Sequence, residues 1–268
     1  MDHGFPKPVT LKFSIVIPTY NEAGGIERLI ATLSDVFRKN ELDGELIVVD
    51  DNSPDGTGRI VDLLSSKYPV RCLHRPQKMG LSSGVIDGWR FARSTSQALG
   101  AIDADFSHDP QIVPKMVAAL ESGRYGLAVG SRYVQGGGIK NWPLRRKVTS
   151  LIACAMAWPL VGIRDITSGY FLVRREALDG VVLDPIGFKI GLEVAAKARY
   201  GRATEVPYVF VDRVAGESKL NGKEITNYLR QLRRIYALRL SGALRKPSTR
   251  RGTSLAEANP VPVKEKTA

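Results

Sequence analysis

Apolar positions along this chain change period repeatedly, and each change marks an element. Phe13-Ser14-Ile15-Val16-Ile17-Pro18 is short, rich in β-branched residues and stopped by proline, which predicts a buried strand. From Ile26 the spacing becomes helical, with Ile26, Leu29, Ile30, Leu33, Val36 and Phe37 on one face. Leu46-Ile47-Val48-Val49 predicts a second strand, and Ile60, Val61, Leu63 and Leu64 a helix behind it. Strands at 70–73 and 98–102 then alternate with helices at 82–92 and 110–121. Near-continuous apolar strands alternating with helices imply an α/β fold, a mostly parallel central sheet with helices on both faces. Ligands bind such sheets beyond the carboxyl ends of the strands. The polar loops at 20–22, 50–55 and 103–105 all fall there.

After Leu127-Ala128-Val129-Gly130-Ser131-Arg132 the pattern changes. Gly136-Gly137-Gly138 reads as a flexible hinge and Arg145-Arg146-Lys147 as a basic cluster. The next sixteen residues, 148–163, carry no charge. They fall short of the ~20 apolar residues that span a bilayer, so they form a helix that suits either a membrane surface or a core. A strand at 170–173, a helix at 192–200, a strand at 204–210 and a mobile loop at 212–222 follow. Ile225, Tyr228, Leu229, Leu232, Ile235 and Tyr236 then share one face of a basic amphipathic helix. The chain divides into one domain, 1–240, with interfacial helices near 145–163 and 223–240, and a basic tail, 241–268, whose composition predicts disorder.

Charge narrows the partners. The net charge is +12, and eleven of the 39 Lys/Arg lie between Arg213 and Arg251 against two Glu. That balance calls for an anionic partner: nucleic acid, a phosphorylated substrate or an anionic membrane. Aromatic residues are not interleaved with the Lys/Arg clusters as nucleic-acid stacking platforms are, so no nucleic acid is expected. Only Cys72 and Cys154 are present, with His3, His74 and His108 scattered, which predicts neither a disulfide framework nor zinc chemistry. The N-terminus has no basic and apolar signal pattern, which places the expected site of action in the cytoplasm.

The candidate chemistry centres on Asp103-Ala104-Asp105-Phe106-Ser107-His108-Asp109-Pro110. On extended chain, alternate residues point one way, so Asp103 and Asp105 converge on one cation. Mg²⁺ held by one or two carboxylates keeps positions open for a diphosphate. The same stretch also suits a helix start, with Ser107 or Asp109 as N-cap and Pro110 at the first helical position. Asp51-x-Ser53-x-Asp55-Gly56 imitates a calcium loop, but it follows a strand and contains Pro54. No phosphate loop of the G-x-x-x-x-G-K-[ST] type and no G-x-G-x-x-G fingerprint occurs.

Four motifs together resemble the family 2 glycosyltransferases of GT-A fold: Ile17-Pro18-Thr19-Tyr20-Asn21-Glu22, the stretch from Val48 to Thr57, Asp103-Ala104-Asp105-Phe106-Ser107-His108, and Gly130-Ser131-Arg132-Tyr133. Asn141-Trp142-Pro143, Thr167-Ser168-Gly169-Tyr170 and the stretch from Asp212 to Leu220 resemble the dolichol- or polyprenol-phosphate mannose synthases within it. The resemblance implies inverting transfer of mannose from GDP-mannose to dolichyl or polyprenyl phosphate, peripherally on the cytoplasmic face of a membrane. It implies a nucleotide-sugar pocket of Pro18, Tyr20, Glu22, Asp51, Asp55, Lys78, Gly80 and Asp103, and Mg²⁺ or Mn²⁺ on Asp103 and Asp105. Asp105, Arg132 and Arg213 would be catalytic, and Arg132, Arg145, Arg146, Ser168, Arg213 and Lys219 would hold the acceptor phosphate, since guanidinium groups grip phosphate bidentately. His108 would cap the helix or sit near the metal. Some relatives carry membrane-spanning helices beyond this region, so this chain is expected to reach its lipid either by its own interfacial helices or through a separate membrane subunit. Glucose or an aminosugar is the alternative transferred sugar.

Overall fold

The structure, a computed structural model, describes residues 10–211 and 222–244. β1 (Phe13–Thr19) and β2 (Gly44–Asp50) are buried almost throughout because both of their faces are covered. Ile15, Ile17, Leu46 and Val48 join one apolar cluster, while Val16, Ile47 and Val49 join another on the opposite face. That alternation explains why these strands read as unbroken apolar runs. α1 (Ile26–Lys39), α2 (Thr57–Leu64) and α4 (Val113–Glu121, entered through a 3-10 turn at Pro110–Ile112) supply the first cluster. α3 (Leu81–Phe91), α5 (Leu144–Val161), α6 (Ile190–Lys197) and α7 (Gly222–Leu240) supply the second.

The central sheet also contains β3 (Val70–His74), β4 (Ala98–Ala101), β5 (Leu127–Ser131), β7 (Phe171–Arg174) and β8 (Ala203–Pro207). Its seven strands run in the order β3-β2-β1-β4-β7-β5-β8. All neighbours are parallel except β7, which is antiparallel to both β4 and β5. That reversal matters for the site. Phe171, where β7 begins, lies opposite Ala101, where β4 ends, and opposite Val129 near the end of β5. The loop leading into β7 therefore meets the carboxyl ends of the other strands at one edge.

Three sequence expectations change. The strand expected at 204–210 is two: β8 ends at Pro207, and β9 (Val209–Val211) pairs instead with β6 (Gly138–Lys140) in a separate ribbon. The expected glycine hinge is packed, since a Cβ on Gly137 would lie 2.6 Å from the Ser131 carbonyl oxygen and Gly138 belongs to β6. α5, expected near 145–163, runs from Leu144 to Val161 with Arg145, Arg146 and Lys147 in its first turn, so that expectation stands. The apolar face of α7 is largely occupied, because Tyr228, Leu232 and Ile235 are buried and the Tyr228 and Tyr236 hydroxyls donate to the Ala153 and Met156 carbonyls of α5. Arg234 of α7 is likewise turned inward to Asp184 and Glu193. The expected mobile loop and disordered tail lie outside the described residues, apart from the ends of each.

Candidate active site

The parallel strands β1, β2 and β4 deliver their loops to the same edge in register, with Thr19 opposite Asp50 and Val16 opposite Ala101. After β1, Tyr20 stands partly exposed, and the Lys78 ammonium lies 4.0 Å from the centre of its ring. Asp55 fastens this loop from the far side, accepting from the backbone N–H groups of Ala23 and Thr57 and from the Thr57 hydroxyl. Burial works against ionisation of Asp55, but these donors outweigh it and hold its carboxyl below the usual range. Glu22 lies in the same turn, its backbone N–H bonded to the Thr57 hydroxyl. Pro18 is the penultimate residue of β1.

Asp51 is buried one residue past β2. One carboxylate oxygen accepts from Arg75 Nε at 2.6 Å, the other from the N–H groups of Met79 and Gly80 at 3.1 and 3.2 Å. Arg75 in turn reaches Asp87, Ser83 and the Gly80 carbonyl. Asp51 and Gly80, both expected in the nucleotide pocket, are thus tied to one another, and Asp51 shapes the loop that carries Lys78. Nothing in the sequence pattern singled out Arg75.

The acidic stretch is not extended chain. β4 ends at Ala101, and Asp105 sits in a turn followed by Phe106 at φ 59°. Asp103 and Asp105 are both half-buried. Asp105 accepts from the N–H and hydroxyl of Ser107, which orients one of its oxygens. Asp109 caps the following turn by accepting from the Gln111 N–H, with Pro110 at its first position. Two half-buried carboxylates in a turn, one of them oriented, form an all-oxygen donor set that fits a hard divalent cation.

His108 does not cap the helix. It is fully buried, 5.0 Å from Tyr170 in a stacked arrangement and edge-on to Tyr208 and Phe210. Its Nδ1 lies 3.2 Å from the Asp103 N–H and its Nε2 2.9 Å from the Ser168 carbonyl. Since an N–H donates and a carbonyl accepts, the ring is neutral with its proton on Nε2. Burial lowers its proton affinity further, against the opposing pull of Asp103 and Asp105. His108 therefore joins the acidic turn directly to the loop before β7.

That loop holds the cations. Arg132, just past β5, is buried and bound through its backbone N–H, Nε and Nη2 to Asp165 at 2.6–2.7 Å, and through Nη2 to Thr167. Burial opposes its charge, and the Asp165 carboxylate more than restores it. Glu205 of β8 anchors the loop by accepting from Ser131 and from the N–H groups of Arg164 and Asp165, and burial raises its carboxyl above the usual range. The Arg132 guanidinium faces the rings of Trp142, Tyr133 and Phe210, and Arg146 lies 4.1 Å over the same Trp142 ring. Arg145 points outward and is exposed. Ser168 is buried, its hydroxyl 3.1 Å from that of Tyr208. Arg213 and Lys219 lie outside the described residues.

Lys189, unmarked in the sequence because it is a lone lysine ahead of α6, belongs here as well. Its ammonium donates to the Thr167 carbonyl at 2.8 Å. Burial, helped by the charge of Arg132, lowers its proton affinity to about 8, with Asp103 pulling the other way.

Comparison with known proteins bears directly on this edge. The Glycosyl transferase family 2 profile matches residues 14–182. A dolichol-phosphate mannosyltransferase of Pyrococcus furiosus is 42% identical over 84% of this chain, and one of Saccharomyces cerevisiae is 38% identical over 86%. This chain belongs to glycosyl transferase family 2. It spans 64% of the Pyrococcus protein and 89% of the yeast protein. Among solved structures of the same GT-A fold, a Pyrobaculum calidifontis mannosyltransferase in complex with GDP-Man and Mn²⁺ superposes with a TM-score of 0.57 at 18% identity, covering 89% of this chain and 67% of that one. A Mycobacterium tuberculosis glucosyl-3-phosphoglycerate synthase with Mn²⁺ and UDP-glucose gives 0.56 at 20% identity, covering 86% and 78%. Within the family 2 fold, the acidic turn and the cationic loop lie at one sheet edge with His108 between them.

Proposed function

We propose that this protein is an inverting hexosyltransferase that moves mannose from GDP-mannose to a dolichyl or polyprenyl phosphate. One observation carries the proposal: half-buried carboxylates and a set of held cations are joined through a single buried histidine, giving one edge two sites of opposite sign. Relatives named dolichol-phosphate mannosyltransferase support the choice of sugar and acceptor. The nucleoside would lie along Pro18, Tyr20 and Glu22, on the loop that Asp51 and Asp55 brace, beside Lys78 and Gly80. Asp103 and Asp105 would hold Mg²⁺ or Mn²⁺, which when bound offsets the charge of the departing diphosphate. Neighbouring structures with Mn²⁺ support a divalent cation.

The acceptor phosphate is already ionised at neutral pH, so the attack requires position and positive charge more than a base. Arg146 is favoured over Arg145 because it lies over the Trp142 ring that Arg132 also faces. Lys189, bonded to the Thr167 carbonyl, and Ser168 belong to the loop before β7, with Arg213 and Lys219 as further candidates. Arg132, fixed by Asp165, would contribute its charge as a stationary element of the wall, which costs no reorganisation during transfer.

Among the described residues no helix is long and apolar enough to cross a membrane. α5 instead exposes Leu144, Val148, Leu151, Ile152, Met156 and Trp158, an apolar face beginning beside its basic first turn. That face would lie in the membrane surface on the cytoplasmic side, or against a separate membrane subunit, and bring the lipid phosphate to the edge.

The test is incubation of the protein with labelled GDP-mannose, Mg²⁺ and a polyprenyl phosphate. Mannosyl lipid should form, and Asp105→Asn should abolish it with the fold unchanged by circular dichroism. Lipid labelled from UDP-glucose and not from GDP-mannose would reassign the sugar. Unchanged turnover in Asp105→Asn would remove the metal from those carboxylates.

A further inference from the structure

A second cluster of ligating side chains lies three strands from the acidic turn, on a groove that the 52–56 loop also lines. β3 is the edge strand of the sheet, and Cys72 and His74 alternate along it, so both face α2. His74 Nε2 lies 3.0–3.1 Å from the two carboxylate oxygens of Asp62 on α2, and its Nδ1 lies 4.0 Å from Cys72 Sγ. One donor atom from each of the three falls within 4.8 Å of the others. The imidazole rests directly on Gly58, one helical turn before Asp62. A Cβ there would come within 2.9 Å of Nδ1 and 2.8 Å of the adjacent ring carbon, so only a bare residue leaves room for the ring. His74 also lines an open groove of about 400 Å³, through which solvent reaches it.

We propose that Asp62, Cys72 and His74 form a binding site for a soft divalent cation of the zinc class, with a fourth position open to the groove. Thiolate, imidazole and carboxylate are a donor set for Zn²⁺ or Co²⁺ and not for Mg²⁺, whereas the all-oxygen pair Asp103 and Asp105 has the opposite preference. A thiolate and a carboxylate together match the cation's double charge. One imidazole nitrogen serves a given ion, so binding at Nδ1, the nitrogen facing Cys72, requires the exposed Asp62 carboxylate to leave Nε2 and swing toward Cys72, bringing the donors to roughly 3.5 Å from one another. Burial, then the charges of Asp62 and Asp50, push the Cys72 thiol up to about 12, so the bare site holds the S–H form. Binding forms the sulfur–metal bond as the S–H bond breaks, and the proton goes to solvent. The scattered histidines and cysteines that argued against zinc in the sequence are thus partly gathered by the pairing of α2 with β3.

The test uses Co²⁺ added to the full-length protein, read by the near-ultraviolet charge-transfer band that only thiolate ligation produces. One equivalent should give the band, Zn²⁺ should abolish it, and excess Mg²⁺ should leave it. Cys72→Ser should lose the band and Cys154→Ser should keep it. Absence of the band in the unaltered protein, or its persistence in Cys72→Ser, overturns the site. Should Cys72→Ser fail to fold, Asp62→Asn decides, because Asp62 is exposed: weakened Co²⁺ binding supports the site and unchanged binding overturns it.

Discussion

His108 and Lys189 show how single residues set this edge. His108 gives one nitrogen to the Asp103 N–H and the other to the Ser168 carbonyl, so its effect is positional. His108→Phe keeps the stack on Tyr170 but leaves both backbone groups unpaired. We expect a loss of about 2–4 kcal/mol in urea unfolding, from two orphaned buried groups. KM should rise for both donor and acceptor, since the turn and the loop lose their common anchor. Lys189 is charged below about pH 8 and loses its proton above it, because its folded proton affinity lies below the ordinary lysine value. Acceptor binding should therefore weaken as pH rises through 8. Lys189→Met, with nothing to titrate, should bind the acceptor more weakly below pH 8, match the unaltered protein above it, and show no such limb in a pH profile of KM. Lys189 lacked a sequence signal of its role, whereas His108 stood in the acidic motif and was expected to cap the helix or sit near the metal; its bond to the Asp103 N–H fits the second, and its link to Ser168 comes only from a distant segment.

At the scale of elements, α5 and α7 carry the contrast between pattern and placement. Sequence periodicity predicted an apolar face on α7, and that face exists, but the body of the domain covers most of it through Tyr228, Leu232 and Ile235. Of the two helices expected at a membrane surface, the proposed contact rests on α5, whose outward apolar residues are exposed among the described residues. Leu151→Ser with Ile152→Ser should reduce cosedimentation with anionic vesicles while changing stability by less than about 0.5 kcal/mol, as exposed substitutions do. A chain ending before α7 should behave differently. It loses three large buried side chains and uncovers the α5 surface they pack against, on the order of 5 kcal/mol of apolar burial, and should show a lowered Tm and aggregation.

Over the whole molecule, function rests on one topological fact: a single reversed strand in an otherwise parallel sheet brings the loop holding Asp165, Thr167 and Ser168 to the edge where β1, β2, β4 and β5 end. The sequence by itself determined the α/β class, the main alternation through α4, the polar loops at the strand ends and the family, because those depend on short-range periodicity and contiguous motifs. It also marked Asp103 and Asp105, whose chemistry is legible in the residue types even though the supposed extended chain is a turn. Only the tertiary structure decided that β7 runs backwards, that Arg132 is held by Asp165, that Arg146 and not Arg145 turns inward, and that Cys72, His74 and Asp62 meet. The physical reason is the same in each case. Strand direction, buried ion pairs and ligand clusters are fixed by contacts between residues far apart in the chain, to which local hydrophobic period is blind.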